Sequence, residues 1–228
     1  MKPGGKDGKL YKIKEGDAIT GGTSGAKIEK SGWYKIKSIG SSTSLPKADT
    51  TTYANASSIK VGQVVHLWKD QALASGDAVI PLTLTLISFV KDVSNSKQGS
   101  SYDVSTQENL DGGVREWITG AFTDSSGTIN GTVETDSEAQ RELLSQFAEI
   151  TIDDGTNISR IPATQTAQDY MLSRRETETV GETAVWEHFP VIVESIQMDK
   201  PLDGEQNFNF NYKVDGGNCP GVIYYTVK

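Results

Sequence analysis

Thr135-Asp136-Ser137-Glu138-Ala139-Gln140-Arg141-Glu142-Leu143-Leu144-Ser145-Gln146-Phe147-Ala148-Glu149 is the one convincing helical stretch in this chain. Asp136 or Ser137 suits the N-cap, and Ser137 with Gln140 has capping-box spacing. Acidic residues crowd the first turn, at the positive end of the helix dipole. Ala139, Leu143 and Phe147 recur at i, i+4 and i+8, and Leu144 widens the face. The pattern predicts a helix over about residues 136–149, with Phe147 on its buried stripe. A helix of about four turns is marginal alone and must lie on a partner surface. The segments on both sides read as strand, so that surface is a sheet.

Working outward, Glu149 to Ile152 leaves the helix as a strand, and Asp153-Asp154-Gly155-Thr156-Asn157 is a hairpin signal before Ile158 to Ile161. Upstream, Thr128 to Val133 feeds the helix, Asn109 to Gly113 is a turn, and Tyr102 to Thr106 is strand-like. Lys9 to Lys14, Trp33 to Ile39, Ile59 to Trp68 and Ala78 to Val93 read as strands. In the last of these, Leu82, Leu84 and Leu86 share one face while Thr83 and Thr85 share the other, so one side meets a core and the other meets something wetter. Val185 to Met198, Asn207 to Val214 and Val222 to Val227 complete the strands, and Gln165 to Glu182 reads as a long loop or a weak helix. Many short strands, regular turns and one amphipathic helix predict a mainly β fold, a sandwich or barrel with one flanking helix.

Ser94 to Ser101 is a polar break and the best candidate boundary. It divides an N-terminal arm with the first strands, residues 1–100, from a core at 101–228 that holds the helix, the two together forming one composite domain. At 36% hydrophobic and 23% charged, the 228-residue chain sits near the soluble globular norm. Met1 to Lys6 has no apolar run behind it, so no signal peptide is expected. The most apolar run, Ala78 to Val90, is too short and too polar to cross a bilayer.

The formal net charge is −8, unevenly spread. Residues 1–47 carry ten lysines against four acids, a net +6 that leaves −14 for the rest. An acidic body argues against a protein that grips phosphates. Three readings fit the basic N-terminal part: a nucleic-acid arm, a segment docking on the acidic body of a neighbouring copy, or a solvated surface.

No catalytic, cofactor-binding or metal-binding residue is assigned. Cys219 is the single cysteine, which precludes an intrachain disulfide, and neither histidine has an evident tie to it. His66 has Asp70 four residues on, and His188 follows Glu187; neither has metal-ligand spacing with a second His or a Cys, so both read as structural. The Gly16–Gly25 loop lacks the Gly before Lys27 and the Ser or Thr after it that a phosphate loop needs. The Asp153–Asn157 run lacks the alternating acids and distal Glu of a calcium loop. Asp111, Glu116, Glu134 and Asp136 have no spacing that makes them converge as paired carboxylates. Trp33, Trp68, Trp117 and Trp186 read as core or subunit contacts rather than a sugar-stacking platform.

One resemblance covers about half the chain. Tyr102-Asp103-Val104-Ser105-Thr106, then Gly113-Val114-Arg115-Glu116-Trp117-Ile118-Thr119-Gly120, the Gly/Thr/Ser strand at Thr128 to Thr132, Leu143 to Ile150 at the helix end, Val191 to Asp203 and Phe208 to Val214 together resemble major tail tube proteins of long-tailed bacteriophages, in particular the non-contractile, siphovirus-like type. Thr119 stands where that family commonly has Pro, and residues 1–100 exceed a minimal member. The resemblance implies a β-sandwich that self-assembles into stacked, hexameric rings, a virion structural protein whose tube conducts DNA during genome ejection. It implies no enzymatic activity. Its implied partners are further copies of itself, the tape measure, tail terminator and distal tail proteins, and DNA passing through an acidic lumen without specific binding, with no membrane. The implied location is the virion tail, with assembly in the host cytoplasm. The alternative is a distal-tail or adhesin-like β-sandwich that contacts host glycans.

Overall fold

The longest of the described strands runs from Thr183 to Asp199, and three other strands pair directly with it. The computed structural model describes residues 9–22, 26–40, 61–103, 117–134, 136–163, 168–175, 180–199, 201–215 and 221–226. In chain order the strands are β1 (Lys9–Glu15), β2 (Ile19–Thr20), β3 (Gly32–Ser38), β4 (Val64–Leu67), β5 (Ala78–Leu86), β6 (Val90–Asp103) and β7 (Trp117–Thr132). Helix α1 (Glu138–Leu144) follows, then β8 (Ile150–Asp153), β9 (Ile158–Ile161), β10 (Gln168–Arg175), β11 (Thr183–Asp199), β12 (Asn207–Val214) and β13 (Gly221–Thr226). The main sheet has the order β4-β3-β5-β1-β10-β11-β12-β7-β6, with β13 beside β11 and β2 beside β5; β8 and β9 form a separate hairpin. Every named pairing is antiparallel. The fold is mainly β, a sandwich with one flanking helix and not a closed barrel.

Alternation along the strands sends side chains to two faces. One face carries Leu10, Ile129, Tyr170, Phe189, Phe208, Phe210 and Tyr212, and Ala139 and Leu143 of α1 lie against it. The other face carries Ile13, Met171 and Trp186, covered by Trp33 of β3 and Val64 of β4. The opposite side of β3 and β4 closes a third cluster with Ile28, Leu73 and Val79. The second layer of the sandwich is therefore the N-terminal strands folded back over β1, β10 and the first half of β11. Two of the three β5 leucines behave as their period predicts: Leu82 and Leu84 pack on the Trp33–Trp186 cluster while Thr83 and Thr85 are exposed, but Leu86, at the end of the strand, is 41% exposed.

Four expectations need correction. The helix has 7 residues rather than the expected stretch 136–149. The Ser145 hydroxyl donates to the Glu142 carbonyl at 2.6 Å, and Gln146 and Phe147 make tighter i→i−3 bonds as the chain turns into β8. Phe147 thereby loses its helical phase and is 41% exposed. The polar break at Ser94–Ser101 is strand, the middle of β6, because its backbone pairs with β7. The single strand expected at Ala78–Val93 is two, turning at Phe89, whose φ is +56°. Within Gln165–Glu182, expected to be loop or helix, β10 is a central strand with Tyr170, Met171 and Ser173 fully buried. Tyr102 to Asp103 lies in β6, while the rest of the segment from Val104 to Glu116 lies outside the described residues.

Candidate assembly surface

The sheet ends on one side in the hairpin β6–β7, and the sequence explains why that hairpin stays attached. β7 carries Gly127 where the ring of Tyr212 crosses it. A Cβ there would sit 1.9 Å from the Ser94 carbonyl oxygen and 2.5 Å from the Tyr212 hydroxyl. The bare backbone lets the Tyr212 hydroxyl reach through to donate to that carbonyl at 2.8 Å. Burial, and then the nearby Glu187, push the Tyr212 hydroxyl well above its ordinary pKa, so it stays a donor.

β12 pairs with β7 only over Ser126–Thr132. Beyond that point, Trp117–Ser125 pairs with β6 alone, across Lys97–Asp103. Among the described residues β6 has no second neighbour in the sheet. Among the described residues the outcome is a two-stranded arm whose β6 margin is an open ladder throughout and whose β7 margin is open beyond Ser126. Isolated two-stranded ribbons are marginal in water, and exposed strand edges recruit further strands. At the other margin, among the described residues, the short strand β4 is likewise bordered on one side only.

At the other end of β6 and β7, where β5 turns into β6 and β7 runs on toward the helix, α1 fixes the base of the hairpin. Ser137 is the N-cap, accepting from the Gln140 amide at 3.3 Å. Gln140 does not return its side chain to the cap as a capping box would. Its Oε1 accepts from the Glu134 amide at 2.7 Å, and its Nε2 donates to the Ser88 carbonyl at 2.7 Å and the Thr132 carbonyl at 3.1 Å. One buried amide thus ties the helix to the β5–β6 turn and to the end of β7. Lys12 of β1 pairs with Glu142 on the same helix. An open groove beside the joint, about 620 Å³, is lined by Phe89, Val90, Lys91, Val133, Glu134 and Glu205 among others.

The polar residues weighed from the sequence fall in separate places. His66 is wedged between the rings of Trp33 and Trp68, with centroids at 5.3 and 4.9 Å. His188 is buried, its Nε2 3.6 Å from Asp169 Oδ1. Burial drives the Asp169 carboxyl upward, but His188 and then Lys35 outweigh it and hold it below its ordinary value. Lys35 is itself paired with Glu15 at 2.7 Å. Asp153 and Asp154 close the β8–β9 turn by accepting the backbone amides of Gly155, Thr156 and Asn157. Those bonds lower the pKa of Asp154. Glu134 and Asp136 lie beside the helix start, while Asp111, Glu116 and Cys219 fall outside the described residues. Trp33 and Trp186 are core side chains 5.4 Å apart.

Among the described residues no three His, Cys, Asp or Glu side chains are grouped to hold a metal, and no helix is long and apolar enough to cross a membrane. The edge ladder and the arm are features the sequence analysis missed, because the polar run Ser94–Ser101 imitates a linker. The signal available was length: residues 90–103 and 117–132 flank a turn-rich stretch and have nearly equal extents. No protein-family model matches this chain, and no curated protein matches it.

Proposed function

We propose that this chain is a structural subunit that assembles with copies of itself into stacked, hexameric rings, forming the tail tube of a non-contractile bacteriophage tail. The observation that carries it is the β6–β7 arm, whose outer ladder is open and whose distal half has no third strand among the described residues. An edge of that length is completed most economically by the same edge or the opposite margin of an identical neighbour, and a head-to-tail contact repeated along an axis makes a filament. The burial of Trp33 and Trp186 removes half of the aromatic platform that a glycan-binding sandwich would have used. Tape measure, terminator and distal tail proteins are the proposed end partners, DNA the cargo, and the virion tail the location. No catalytic role is proposed.

Negative-stain microscopy of the purified chain tests this. Hollow rings or tubes are expected. Monodisperse monomers at high concentration overturn the proposal, and glycan capture by such monomers would put a host-binding module in its place.

A further inference from the structure

Phe89 stands at the turn from β5 into β6 with φ at +56°, and its side chain is 62% exposed. A left-handed backbone suits Gly or Asn and strains a bulky residue, so an exposed ring held there points to a use for the ring. With Val90 and Val133 it forms the apolar part of an open groove of about 620 Å³. Val90 and Val133 rest on the core cluster beneath, so this floor is continuous with the core.

The rim of the groove is acidic. Glu134 and Glu205 line it, and Asp136 follows Glu134 in the adjoining recess beside α1. Lys91 also lines the groove, but it donates to Asn207 Oδ1 at 2.9 Å and lies 3.5 Å from Glu205. Three carboxylates against one ammonium leave −2 around an apolar floor.

The chain enters the sheet beside this groove. β1 begins at Lys9, and the Leu10 carbonyl accepts from the Ile87 amide at 2.9 Å, two residues short of Phe89. That bond extends the register Tyr11↔Leu86, which sets Lys9 against Ser88 and, one step further, Gly8 against Phe89. Upstream of β1 the sequence is Met1-Lys2-Pro3-Gly4-Gly5-Lys6-Asp7-Gly8. Lys2 and Lys6 against Asp7 give +1, and Lys9 makes it +2.

We propose that the groove is the receptor for residues 1–8 of the same chain, which cross it as a strap. Gly8 passes Phe89 where a side chain would crowd the ring, and Lys2 and Lys6 lie toward Glu134, Asp136 and Glu205. Fully extended, eight residues reach about 26 Å from Lys9, ample for a groove that starts two residues away. The same proximity favours the chain's own segment over that of a second copy, because closing so short a loop costs little and the local concentration of a tethered segment is high. The strap shields an aromatic and two valines from water and ties the start of β1 to the start of β6, the strand whose margin is open. It does not depend on the tube reading.

The test puts a nitroxide spin label on Lys6→Cys in the full chain with Cys219→Ser, kept below the concentration at which it assembles, and reads backbone amide resonances. The expected result is loss of the Phe89, Lys91, Val133 and Glu134 signals while those of the remaining surface persist. Loss spread evenly over the surface, or none at the groove, overturns the strap. A mixture of spin-labelled chains with isotope-labelled chains that carry no spin label separates the two sources. Groove signals should survive in the mixture, and their loss there would assign the groove to a second copy and overturn the in-chain strap. Phe89→Asn, which the left-handed backbone accepts, should restore the lost signals; continued loss shows that the groove is not the receptor. Glu134→Lys combined with Glu205→Lys should restore them in part, and an unchanged pattern refutes the charge match. None of these outcomes bears on whether the chain forms tubes, which microscopy decides separately.

Discussion

Replacing Gln140 by Leu isolates the joint between the helix and the base of the β6–β7 hairpin. The side chain is 2% exposed and serves three backbone groups: the Glu134 amide, the Ser88 carbonyl and the Thr132 carbonyl. A net contribution of about 1 kcal/mol per hydrogen bond gives about 3 kcal/mol, and a buried group left without a partner costs about 1–3 kcal/mol more. Leucine fills much of the same space, so the loss is polar rather than a cavity effect. Urea unfolding of the unassembled subunit should show ΔG reduced by about 4–6 kcal/mol with an unchanged m-value. Gln140→Glu keeps an acceptor for the Glu134 amide but points carboxylate oxygens at two carbonyls, and should be no better than leucine. Ser137→Ala, which removes only the cap, should cost about 1 kcal/mol. Amide exchange should quicken at Glu134 in the Gln140 variants and much less in Ser137→Ala. A Gln140→Leu subunit within about 0.5 kcal/mol of the parent would refute the clamp, since that is the range of changes away from any structural feature.

Gly127→Ala should cost about 1–3 kcal/mol through overpacking and break the Tyr212–Ser94 bond, read as a lower unfolding midpoint together with a changed Tyr212 absorbance titration. An unchanged titration would show that the ring does not need the bare backbone. Asp169→Asn should destabilise the subunit near neutral pH. The folded carboxyl is held below its ordinary value, so its contribution is fully present above the unfolded value of about 3.9 and is lost as pH falls through the lower folded one. The gap between parent and variant stabilities should therefore close in acid; a gap that widens there refutes the pairing. Phe147→Ala should cost no more than about 1 kcal/mol, because the side chain is 41% exposed and not in the core. A loss of about 3–5 kcal/mol, the range for a buried aromatic, would restore the longer helix predicted from its spacing.

Local period and capping chemistry carried much of the fold. Ser137 caps the helix as its position predicts, Leu82 and Leu84 face the core opposite Thr83 and Thr85, and the Asp153–Asn157 turn closes β8 on β9. These features depend on neighbours within a few residues, so the chain alone determines them. Three other features depend on contacts distant in sequence. β10 looks like a loop because Gln168, Asp169 and Ser173 are polar, yet β1 on one side and β11 on the other make it central. Ser94–Ser101 looks like a linker, yet its backbone bonds are supplied by β7. Phe147 has the right spacing for a helix, but the bonds of Ser145, Gln146 and Phe147 end that helix first. No catalytic or metal residue was assigned from the sequence, and the surface that carries the proposed function is a backbone edge. It has no side-chain signature, because an open ladder exists only once the order of strands is settled. Composition fixed what each strand would bury; pairing across the sheet decided what it would leave bare.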